Sequence, residues 1–80
     1  MKLILVEWID SHGGQGWEPL SELTGSLMLC RSVGWLSSEA KGHLVIVPHL
    51  SGVNAGFRLF GRGDITIPRK CVTKITVLRK

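Results

Sequence analysis

Leu27-Met28-Leu29-Cys30-Arg31-Ser32-Val33-Gly34-Trp35-Leu36 and, beyond a polar turn, His43-Leu44-Val45-Ile46-Val47-Pro48-His49 form the stretch on which the fold turns. Successive side chains of a strand point to opposite faces. Leu27, Leu29, Val33 and Trp35 therefore share one face with Arg31 among them, while Met28, Cys30, Ser32, Gly34 and Leu36 take the other. Ser38-Glu39-Ala40-Lys41-Gly42 supplies small and polar residues for a reversal, with Gly42 able to take a positive φ. The return arm is continuous and β-branched, the composition of a strand buried on both faces. Pro48 ends its pairing, because proline has no N–H to donate. A long hairpin from Leu27 to His49 is the expected centre of the domain.

Outward from that hairpin, Leu3 to Asp10 reads as the first strand, with Ile4, Val6 and Trp8 on one face and Leu3, Leu5 and Ile9 on the other. Ser11-His12-Gly13-Gly14-Gln15-Gly16 is too rich in glycine to continue it and predicts a mobile loop. Trp17 to Leu23 predicts a short helix: Pro19 suits a first turn, Gly25 a stop, and Leu20 and Leu23 are spaced to dock it on the sheet. Ser51 to Gly63 is a long excursion with four glycines and the aromatics Phe57 and Phe60, of the kind that carries function in a compact domain. Asp64 to Ile67 resumes a strand with Ile65 and Ile67 inward. Pro68-Arg69-Lys70-Cys71 makes a tight turn, and Val72 to Leu78 closes the fold with Ile75 and Val77 on one face. Five short strands and one helical turn predict a single mainly β domain over residues 1–80, a small, partly open five-stranded β-barrel.

A chain of 80 residues buries only ~60–65% of its unfolded surface, so stability at this size is helped by self-association, and a homo-oligomer is expected. A 44% share of hydrophobic residues and a mean hydropathy of +0.21 argue against disorder. No apolar run reaches the ~18–20 residues of a membrane span, and Glu7 and Asp10 interrupt the first strand too soon for a signal peptide, which predicts a cytoplasmic protein with no membrane partner. Cys30 and Cys71 are too few for a disulfide framework, and each sits in an apolar, strand-like context where a reduced thiol acts as a small hydrophobe. Charge is unevenly divided. Residues 1–50 carry Lys2, Arg31 and Lys41 against five acids, net −2, and residues 51–80 carry seven bases against Asp64, net +6. That asymmetry points to an anionic partner for the C-terminal part.

The run Gly63 to Leu78, strand, tight turn and strand, resembles the closing element of Sm-like and Src-homology-type small barrels. The chain is also similar to small uncharacterised accessory proteins of tailed bacteriophages. The similarity rests on Trp8 and Asp10, Gly16-Trp17, Ser32-x-Gly34-Trp35-Leu36 and Ile67-Pro68. The resemblance implies a small barrel and an accessory role, such as interference with host defence, and it implies no mechanism. The chain departs from Sm-like proteins in lacking a counterpart of their RNA-binding loop residues.

Candidate chemistry is sparse. Gly13-Gly14-Gln15-Gly16 lacks the Lys-Ser/Thr of a phosphate loop. His12, His43, His49, Cys30 and Cys71 show no short metal-ligand spacing, so no metal and no cofactor are expected. No nucleophile pattern occurs, which predicts a binding protein and no enzyme. The expected ligand-binding residues are Trp17, His49, Asn54, Arg58, Arg62 and Arg69. Arginine forks bidentately onto phosphate, Trp17 follows a glycine loop and is placed to stack on a base, and His49 and Asn54 sit at the mouth and in the body of the long excursion. The expected ligand is a small phosphorylated molecule, a nucleotide signal. The alternative is nucleic acid, or a host nucleic-acid-binding protein, taken by the basic C-terminal half.

Overall fold

The computed structural model describes residues 1–11, 16–23, 25–54 and 58–80. Seven strands are described: β1 (Leu3–Asp10), β2 (Met28–Glu39), β3 (His43–Val47), β4 (His49–Ser51), β5 (Phe60–Arg62), β6 (Ile65–Pro68) and β7 (Val72–Arg79). Five of them form one antiparallel sheet in the order β6-β3-β2-β1-β7, and β4 and β5 form a separate two-stranded ribbon. The expected central hairpin is β2 and β3, with β2 running to Glu39 and a turn at Ala40–Gly42 closed by Ala40 N–H donating to the His43 carbonyl at 2.8 Å. Gly42 does not use a positive φ there.

Register explains the core. Val6 lies opposite Ser32 on one side and Ile75 on the other, Ile4 opposite Gly34 and Val77, Leu44 opposite Ile67, and Ile46 opposite Leu36 and Ile65. Directly opposed residues share a face. Ile4, Val6, Leu44, Ile46 and Ile67 are fully buried on it, with Trp8, Leu36, Ile65 and Val72 packed around them. Trp8 Nε1 donates to Ser32 Oγ at 3.0 Å, which satisfies the indole where it enters that layer.

β2 places its less apolar row, Cys30, Ser32, Gly34 and Leu36, against the core. The richer row of Leu29, Val33 and Trp35 lies opposite Ile9, Leu5 and Leu3 on the other face. Gly34 is what allows the close approach: a Cβ there would lie 3.0 Å from the Val47 carbonyl oxygen.

Two expectations are corrected. The five-stranded sheet does not close into a barrel: β6 pairs with β3 and β7 with β1, and no pairing joins β6 to β7. Ile75 and Val77 on the core face of β7 therefore stay partly exposed. The predicted helix at Trp17 to Leu23 is a single 3₁₀ turn, Leu20–Glu22, and Leu20 (85% exposed) and Leu23 do not dock on the sheet. Pro68-Arg69-Lys70-Cys71 does turn tightly, as the 3₁₀ turn Arg69–Cys71, held by Arg69 N–H donating to the Gly42 carbonyl at 2.9 Å. The long excursion holds the last residue of β4 and all of β5. The glycine loop at 12–15 and Phe57 lie outside the described residues.

Candidate functional site

The ribbon gathers part of the predicted site. Its register sets His49 opposite Arg62, Leu50 opposite Gly61 and Ser51 opposite Phe60. Alternation then puts His49 and Arg62 on one side, together with Ser51 and Phe60, and Leu50 and Gly61 on the other, apolar side. The apolar side packs back on the end of β3. A Cβ on Gly61 would lie 2.8 Å from Val47 Cγ1, so any larger residue would hold the ribbon off the sheet. Val47 is buried by this approach although it belongs to the β3 row, with Val45, that points away from Leu44 and Ile46.

Between this β3 row and the ribbon lies a cavity of about 340 Å³ lined by Met1, Ser37, Val45, Val47, Leu50, Leu59, Phe60, Gly61 and Asp64. The size is within the ~300–1,000 Å³ range of small-molecule sites. Its wall is mostly apolar, with one aromatic ring, one hydroxyl and one carboxylate. The Arg58 guanidinium lies 5.1 Å from the centroid of the Phe60 ring, an exposed cation–π contact that sets a fixed positive charge beside the cavity wall.

Of the predicted residues, His49 and Arg62 face each other, Arg58 sits on Phe60, and Asn54 is exposed in the turn beyond β4. Trp17 is fully exposed on the segment before β2 and lines no described cavity. Arg69 is set apart: it pairs with Glu39, next to the β2–β3 turn, the full length of β3 away from the ribbon. Among the described residues the only other ion pair is Arg31 with Glu7, at 3.1 Å. The cavity residues Val45, Val47, Leu50, Leu59, Phe60 and Asp64 were not expected. The alternation of Leu50 with His49 and Ser51 is a signal for Leu50 alone; the others meet only through the approach of the ribbon to β3.

Among the described residues no group of three or more metal-ligating side chains converges, and no helix is long and apolar enough to cross a membrane. Comparison with protein-family models, with curated proteins and with solved structures finds no match to this chain.

Proposed function

We propose that this chain is a non-catalytic binding protein that captures a small phosphorylated ligand of nucleotide type between β3 and the β4–β5 ribbon. The observation that carries this reading is the apolar cavity of about 340 Å³ whose Phe60 wall carries the Arg58 guanidinium, on a ribbon that also sets His49 opposite Arg62. A base fits the wall of Leu59 and Phe60, with Asp64 and Ser37 able to meet its polar edge, while Arg58 and Arg62 fork onto phosphate oxygens. Asn54 supplies an amide from the turn beyond β4, whereas Trp17 follows the Asp10 end of β1, the far end from the ribbon, and is left out of this site. The likeness to phage accessory proteins makes a signal nucleotide of host defence, in the cytoplasm, the natural ligand class. The last strand returning beside the first supports reading the sheet as an opened form of a small Sm-like barrel.

A second reading has its own support: the net +6 of residues 51–80 suits nucleic acid, or the surface of a protein that competes for it. Arg69 and Lys70, on the turn before β7, belong to this reading more than to the cavity.

The test is calorimetric titration and thermal shift of the full chain with a panel of linear and cyclic nucleotides, beside gel mobility with DNA and RNA. Saturable nucleotide binding that falls at least ~10-fold in Arg62→Ala, a loss on the scale of one charge-assisted hydrogen bond, with an unchanged circular dichroism spectrum, is the expected result. Response to neither nucleotides nor nucleic acid overturns both readings.

A further inference from the structure

The face of β1 and β2 turned away from the core is as apolar as the core face. Ile9 lies opposite Leu29, Leu5 opposite Val33 and Leu3 opposite Trp35, interrupted only by the charged row in which Glu7 stands between Arg31 and Lys74. An antiparallel sheet with one solvated face alternates apolar with polar residues, and these strands do not. Leu29 is 83% exposed and Val33 52%. The whole chain exposes 6605 Å². A compact monomer of 8.8 kDa exposes about 4,800 Å², so the excess is about 1,800 Å², spread over the whole elongated chain; a stable complex would cover ~800 Å² of surface on each partner.

We propose that a second copy of this chain covers this face, the two β1–β2 faces packing against each other about a two-fold axis. A two-fold interface brings the same patch from both copies, and the mixed-sign row sets its register by placing Glu7 of each copy against the basic neighbours of the other. The sheet edges are the rival route and are guarded. β7 carries two bulges, at the register shifts between Leu3 and Ile4 and between Glu7 and Trp8, together with Lys74 and Arg79. β6 has four residues and ends at Pro68. Bulges, charge, shortness and proline are the features by which edges avoid pairing.

The experiment is sedimentation equilibrium of the full chain from micromolar to submillimolar concentration, with Leu29→Lys, Val33→Lys and Leu20→Glu, each checked by far-ultraviolet circular dichroism. The expected result is a wild-type species of twice the 8.8 kDa chain mass. Leu29→Lys and Val33→Lys should each raise its dissociation constant ~100-fold by leaving an unpaired charge on a covered face, while Leu20→Glu, on the 3₁₀ turn off the sheet, should leave it unchanged. Leu29 is already exposed in the single chain, so its replacement empties no core. A monomer throughout the series overturns the proposal, and so does a dimer that survives both lysine variants or yields to Leu20→Glu.

Discussion

A methyl group on Gly34 would meet the backbone of Val47 at 3.0 to 3.1 Å, with the carbonyl oxygen, carbonyl carbon and amide nitrogen all in range. Backbone cannot swing aside as a side chain can, so Gly34→Ala is expected to cost ~1–3 kcal/mol, read as a lower urea midpoint. Gly42 has nothing within 4 Å of the same added atom and no positive φ. Gly42→Ala should leave the midpoint in place. Nothing local in the sequence separates these two glycines, because what distinguishes them is a strand brought in by the tertiary fold. Arg69 is similar: its sequence neighbourhood is basic, yet Glu39 meets it from another strand. The pair is well exposed, so Arg69→Ala is expected to lower stability by no more than ~1 kcal/mol, as a shift in thermal midpoint. Arg62→Ala should instead lower ligand affinity without that shift.

β6 is short, but it supplies Ile67, fully buried opposite Leu44 and the innermost residue that the C-terminal third gives to the core. A chain of 80 residues has a total stability of ~4–12 kcal/mol, and emptying an isoleucine site costs ~2–5 kcal/mol. Ile67→Ala should therefore unfold much of the population at mild denaturant, followed by tryptophan fluorescence of Trp8, which packs on the same cluster. The strands themselves were legible because alternation and the punctuation by glycine and proline act over a few residues. The helix expected at Trp17 to Leu23 was not. A segment that short lacks the length to be stable alone, and nothing on the sheet receives Leu20 or Leu23, so only the 3₁₀ turn remains. The ribbon has no local signature in the sequence, because β4 and β5 have three residues each and are held by Gly61 against Val47, a contact between distant parts of the chain.

The molecule measures 58 × 23 × 21 Å with a radius of gyration of 16.7 Å, against about 12 Å for a compact domain of this length. Such a shape offers much surface per residue and leaves the choice between a cavity ligand and a long polyanion to be read from salt. Capture of one nucleotide should change little in affinity between low and physiological salt. Contact with six or more phosphates along a duplex should lose ~10³-fold or more over the same range, measured by fluorescence anisotropy. By itself the sequence determined that the chain is mainly β, where most strands run, that positive charge gathers after residue 50, and that β2 has two distinct rows. It did not determine which row meets the core, because alternation sets relative parity and leaves the sign open. Only the tertiary structure decided that. Ile4, Val6, Leu44, Ile46 and Ile67 fill the layer from neighbouring strands, and the Val47 backbone lies so close over Gly34 that only the row holding that glycine can face the layer, which leaves Leu29, Val33 and Trp35 on the other side.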